Sequence, residues 1–140
     1  MSKSFLLDIV TAEGEVFSGV VQKLFVTGVL GEMEILSGHA PLLATLAPGP
    51  VWAKREDGTE DAFVILGGML EVQPDVVIIL GDSAIRAQNC DEAAAKQAIE
   101  NIESRIARKE DSLDYSKAHT ELAFAIAQLR VLKKLRKKAK

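Results

Sequence analysis

The sequence predicts an α+β protein: an N-terminal antiparallel β-sandwich over residues 1–86, followed by a C-terminal antiparallel two-helix hairpin over residues 87–140. Three observations carry that expectation. Apolar residues recur with a period of two as far as about Ile85, interrupted by turn residues every eight to ten positions. Beyond Asn89 the spacing changes to the threes and fours of a helix. Positive charge then gathers at one end. Of seventeen Lys and Arg, seven lie in residues 129–140 (LRVLKKLRKKAK), leaving ten against twenty Asp and Glu elsewhere.

Phe5, Leu7 and Ile9 alternate in the first segment. Residues 20–27 (VVQKLFVT) read as one strand, followed by strands at 32–36, 42–46 and 51–55. The sequence EDGT at 56–59 is a hairpin turn, because Asp-Gly supplies the positive φ such turns need. Residues 62–66 return, Gly67-Gly68 breaks the run, and 69–72 and 76–80 flank a Gln73-Pro74-Asp75 turn. Short strands at this spacing, with no helical stretch between them, indicate an antiparallel sandwich or barrel.

In the second part Ala95, Ile99, Ile102 and Ile106 share one helix face, with Asn89 or Asp91 able to cap its start. DSLD at 111–114 is the break. A second helix from Tyr115 carries Ala118, Leu122, Ala125, Ile126, Leu129 and Leu132 on one stripe, which makes an antiparallel hairpin. The hairpin is rich in alanine: Ala94, Ala95 and Ala98, then Ala118, Ala123, Ala125 and Ala127. A buried large aliphatic contributes about 1.5–3 kcal/mol and alanine much less, so the hairpin is expected to be held modestly.

A chain of 140 residues, 48% apolar and 26% charged, can bury a core of its own. Its longest apolar runs, such as DVVIILG at 75–81, are strand length and far short of a membrane span. The start alternates like a strand and lacks the apolar block of a signal peptide. One cysteine, Cys90, excludes an internal disulfide and fits a reducing compartment. A cytoplasmic protein is expected.

The residues make no active site. His39 sits in a turn sequence, GHAP at 38–41, and His119 lies among polar neighbours. Two histidines and one cysteine so far apart build no metal site. Gly67-Gly68 lacks the Lys-Ser/Thr of a phosphate loop. No catalytic residue, cofactor or metal is expected, since no nucleophile, base and orienter come together. Glu32 and Glu34 in GEMEIL share one strand face, which suits a solvated edge or a polar contact with another subunit.

The basic end remains. The helix macrodipole accounts for one or two of its cations, not seven. An anionic membrane is one target, although Leu129, Leu132 and Leu135 form a narrow strip without Trp or Phe. Nucleic acid is another, weakened by the overall acidity and the absence of a groove-reading motif. An acidic protein surface is the third. A β-sandwich adaptor whose helix docks on anionic lipid therefore stands as an alternative.

Several stretches together resemble a family. They are LDIVTAEGEVFSG (7–19), VTG (26–28), GE (31–32), GHAPLL (38–43), GGML and EVQP (67–74), DSAIRAQ (82–88) and AIAQLRV (125–131). In order and spacing they resemble the epsilon subunit of bacterial F-type ATP synthases over essentially the whole chain. The resemblance implies a non-catalytic rotor subunit of the central stalk. Its sandwich would be held against the gamma subunit and would touch the c-ring, with Glu32 and His39 as the ring contacts. Ring rotation driven by ions would thereby reach ATP synthesis in the alpha–beta hexamer. The hairpin would fold on the sandwich or extend along gamma, where it inhibits ATP hydrolysis. Arg130, Lys133, Lys134, Arg136, Lys137 and Lys138, with Lys140, would then face an acidic loop of beta. The resemblance also implies a peripheral place on the cytoplasmic face of the inner membrane, reached through the complex and not by insertion, and no nucleic-acid partner.

One departure matters. Some family members bind ATP through Ile/Leu-Asp-x-x-Arg-Ala at the start of the first helix, where this chain has Cys90-Asp91-Glu92-Ala93-Ala94-Ala95. Ala94 stands in place of the Arg that would neutralise phosphate. No ATP binding is expected.

Overall fold

Phe5, Leu7 and Ile9 all turn inward from β1 (Phe5–Thr11) and are buried, as a period of two requires of a half-buried strand. The computed structural model in which they do so describes residues 3–139, with side chains as far as residue 137. β1 forms an antiparallel hairpin with β2 (Gly14–Val21). β3 (Lys23–Gly28) and β4 (Gly31–Leu36) form another, with Val29-Leu30 at its tip. Then follow β5 (Leu42–Leu46), β6 (Gly49–Lys54), β7 (Glu60–Val72) and β8 (Val76–Arg86). The hydrogen-bonded order is β2-β1-β8-β7-β5-β3-β4, and β6 pairs with β3 and β7.

The strands close over one core. Leu7 and Ile9 from β1 meet Leu24 from β3, Ile35 from β4, Leu70 from β7 and Ile79 from β8, all essentially without solvent exposure. Phe17 and Phe63 join them edge to face, with ring centroids 5.3 Å apart. This is the expected sandwich.

Four details depart from the sequence expectation. Residues 20–27 belong to two strands, not one. Val21 and Leu24 are both buried although three apart, so the inward phase slips at Gln22, whose amide donates to the Lys54 carbonyl at 2.7 Å. Gly67-Gly68 bends β7 without ending it. Both glycines have positive φ (149° and 148°), and the register with β8 shifts on either side of Gly67. A Cβ on Gly68 would lie 2.1 Å from the Leu80 carbonyl oxygen, so only glycine fits there. β8 continues past Leu80 to Arg86 because its polar Ser83 still pairs with Gly67. Finally, β1 and β8 run parallel, Leu6 opposite Val76 through Thr11 opposite Gly81, whereas the other pairings among the described residues are antiparallel. No short turn joins these two strands, so nothing local sets their direction.

The helices begin where their caps allow. The Asp91 carboxylate accepts from the Ala94 amide at 3.1 Å and starts α1 (Glu92–Ala107). Lys109, at φ 53°, ends the turn after it. Glu110 ties the corner through Arg105 (3.2 Å) and Arg108 (3.0 Å). Asp114 accepts from the Lys117 amide at 3.1 Å and opens α2 (Tyr115–Ala139), which at 1.5 Å per residue is about 37 Å long.

α2 has two working faces where one stripe was expected. Ala118 and Ala125 are buried on the predicted stripe, and Ala118 borders the same hollow as Ile102 of α1. On another side Phe124, Ala127, Val131 and Leu135 pack on the sandwich. That side carries the only aromatic residue of the two faces, Phe124.

Candidate functional site

β6 is covered twice. Val51 and Ala53 point into the sandwich core, and Trp52 between them points out, yet all three are buried. Trp52 stands opposite Phe25 of β3 on one side and Ala62 of β7 on the other. With Val64 and Ile85 they make an apolar shelf, and α2 lies on it through Phe124, Ala127, Val131 and Leu135. Val131, 1% exposed, is worth about 1.5–3 kcal/mol of docking.

The cations interleave with the end of this contact and continue past it. Lys134 places its Nζ 4.5 Å from the centroid of the Trp52 ring, within reach of a cation–π attraction. Arg136 donates to Glu92 at the start of α1, and Lys96 reaches the other Glu92 oxygen at 3.3 Å. The hydrogen bond from Lys96 and the charges of Arg136 and Lys96 hold the Glu92 carboxyl below its usual range, against a smaller effect of burial. Arg130 borders a cleft of about 600 Å³ between α2 and the sandwich, whose walls include Glu32, Trp52 and Lys134. Lys133 and Lys137 are exposed. The Lys138 side chain and Lys140 lie outside the described residues.

These cations repel one another. Arg130 and Lys134 are four apart, Lys133 and Lys137 four apart, Lys133 and Arg136 three apart. Each such pair on a helix is unfavourable by about 0.2–0.5 kcal/mol. An anionic surface laid along this end would relieve several pairs at once.

The strand residues divide. Glu34 forms an ion pair with Lys23 at 3.0 Å. Glu32 is exposed beside the Val29-Leu30 tip, where Val29 (58%), Leu30 (101%) and Leu43 (67%) stand in solvent. Exposed aliphatics grouped in this way mark a contact surface. His39 is elsewhere. Its amide donates to the Leu36 carbonyl at 3.1 Å, and its Nδ1 donates to the Ala40 carbonyl at 2.7 Å. From Glu32 to Leu36 the strand advances about 13 Å, so Glu32 and His39 lie at opposite ends of β4.

Cys90 is half-buried, and burial pushes its thiol up, away from the reactive thiolate. Its S–H donates to the Arg86 carbonyl at 3.7 Å. Ala94 is exposed, and the Asp91 carboxylate is engaged as the helix cap.

Sequence reasoning missed Trp52, Phe25, Phe124 and Glu92. A signal for the first was present: VWA at 51–53 is apolar without alternation, as in a strand covered on both faces. No local pattern marks Glu92 as the partner of Arg136.

Comparison with known proteins agrees with this geometry. Residues 4–87 match the beta-sandwich domain of the ATP synthase delta/epsilon chain, and residues 89–133 match the long alpha-helix domain of that chain. The ATP synthase epsilon chain of Legionella pneumophila strain Corby is 53% identical over 140 residues, the whole of both chains. That of Chromohalobacter salexigens is 50% identical over 135 residues, 96% of each. Among solved structures, a chain of the Euglena gracilis mitochondrial ATP synthase, in an OSCP, F1 and c-ring assembly, has a TM-score of 0.73 at 23% identity. It aligns over 87% of this chain and 76% of its own. A chain from the central stalk and c-ring of the Tetrahymena thermophila mitochondrial enzyme has a TM-score of 0.60 at 12% identity, over 94% and 98%. At those identities both show a shared fold.

Proposed function

This chain belongs to the ATP synthase delta/epsilon chain family, and we propose that it is the non-catalytic central-stalk subunit of a bacterial F-type ATP synthase. In this reading residues 1–86 are the platform and residues 87–140 the regulatory arm. The platform is held by the gamma subunit and touches the c-ring, passing ion-driven rotation to the alpha–beta hexamer. The exposed Val29-Leu30 tip with Glu32 beside it supports a ring contact at that end. A contact that also includes His39 runs along the length of β4. The chain reaches the cytoplasmic face of the membrane through the complex; among the described residues no helix is long and apolar enough to cross it.

The arm restrains ATP hydrolysis when α2 leaves the sandwich and enters the hexamer, with Arg130, Lys133, Lys134, Arg136, Lys137 and Lys138 against acidic residues of beta. The observation that carries this is the crowding of like charges at the end of a helix that docks mainly through Phe124, Ala127, Val131 and Leu135. Such a helix gains by moving to an acidic, partly dehydrated surface. Deleting residues 118–140 is expected to raise the ATPase activity of the assembled soluble complex. Unchanged activity with unchanged rotational pausing rules the brake out.

A further inference from the structure

We infer that Trp52 and Glu92 form a receptor within the chain for the basic arm, a clasp that must open before Lys134 and Arg136 can serve an acidic partner. Its partner side rests on the function proposed above; its internal side rests on geometry alone.

The two contacts sit beyond Val131, the last fully buried residue among the described side chains of α2, and flank the partly buried Leu135, so they reinforce the end of the helix where apolar packing thins. They also restrain different motions. Trp52 belongs to β6, so lifting α2 off the sandwich breaks its contact with Lys134. Glu92 belongs to the first turn of α1, so opening the hairpin breaks its pair with Arg136. Trp52 is only 7% exposed, which strengthens attraction between its ring face and an ammonium. Glu92 is oriented in advance by Lys96, four residues on, and meets Arg136 already positioned.

All five of these cations are exposed, but Arg130, Lys133 and Lys137, unlike the clasped pair, have no ion pair or ring contact among the described residues. They can meet an anionic surface while the clasp is shut, and Lys134 and Arg136 join only after release. The arm is therefore a two-step device: encounter by the outer cations, then transfer of the clasped pair from Trp52 and Glu92 to the partner. Loosening the clasp shifts the population toward the released arm without altering the arm itself.

The test is a double-mutant cycle on the full-length chain, Glu92→Gln with Arg136→Gln, read by hydrogen exchange of the α2 amides. Each single variant is expected to speed exchange in the last turns of α2, and the double variant to be slower than their product by about 1.5- to fivefold, the range for an exposed ion pair. The cycle Trp52→Leu with Lys134→Gln is expected to show coupling of about two- to fivefold. Strictly multiplicative effects in both cycles overturn the clasp. Glu92→Gln is then placed in the assembled complex, since it leaves every arm cation intact. Deeper inhibition of ATP hydrolysis supports the transfer. Faster exchange with unaltered hydrolysis keeps the clasp and overturns the brake, so the two ideas fail separately.

Discussion

Lys134 of α2 lies over the indole of Trp52 on β6, Nζ to ring centroid 4.5 Å. One contact thus joins the basic end of the chain to its single tryptophan. Docking of the arm is consequently visible in intrinsic fluorescence.

Ala127 is buried against this shelf, beside Trp52 and Val64. Ala127→Phe adds a large side chain where Ala127 is already only 4% exposed, and such overpacking is unfavourable by about 1–3 kcal/mol unless the helix leaves. The expected outcome is a red-shifted tryptophan emission with the sandwich still folded by circular dichroism. An unshifted spectrum would mean that α2 does not cover Trp52 in solution.

The clasp also depends on pH. The folded Glu92 carboxyl is held below its ordinary value of 4.5, first by the Lys96 hydrogen bond and also by Arg136. A depressed folded value means that its contribution is complete above 4.5 and is lost as pH falls through the lower folded value. Acid titration of a fluorophore pair placed on α1 and the end of α2 should therefore show the hairpin opening below about pH 4.5. Subtracting the same titration of Glu92→Gln isolates this step, and identical curves would contradict it.

Leu30 is fully exposed at the β3–β4 tip. Leu30→Asp should change the stability of the isolated chain by no more than about 0.5 kcal/mol, as is usual for a surface position. In membranes carrying the assembled enzyme it should uncouple hydrolysis from ion pumping. Full coupling in that variant would remove the tip from the ring contact.

Gly68 has φ 148° and the Leu80 carbonyl where a Cβ would be. Gly68→Ala carries backbone strain of about 1–3 kcal/mol before the steric clash is added. A marked fall in Tm is expected, and a Tm within a degree of the parent would show that β7 and β8 relax easily there.

ATP should not bind the isolated chain at low millimolar concentration. Ala94 offers no cation, and Asp91 is occupied as a cap. A saturable calorimetric isotherm in that range would show that other cations, Arg130 and Lys134 of the cleft first, replace the missing one.

Much of this was legible in advance because it is local. The inward residues Leu7, Ile9, Leu70 and Ile79 follow from alternation, and Asp91 and Asp114 stand where caps are needed. The crowded cations at 130–138 can be read directly from the chain. The corner at Gln22 was readable in principle from the slipped phase of Val21 and Leu24, but strand-favouring residues on both sides of Gln22-Lys23 concealed it. Phe25, Trp52 and Phe124 stayed hidden because each is wholly or partly buried on the side that its own periodicity assigns to solvent.

The sequence by itself determined most of the strands, both helices with their starts, and that the arm is cationic, since periodicity, capping and charge act over a few neighbouring residues. Only the tertiary structure decided that β1 and β8 run parallel, that β6 is covered on both faces, and that Lys134 and Arg136 meet Trp52 and Glu92. Those pairings join residues far apart in the chain, and they depend on how whole layers settle against one another once their apolar faces are withdrawn from water.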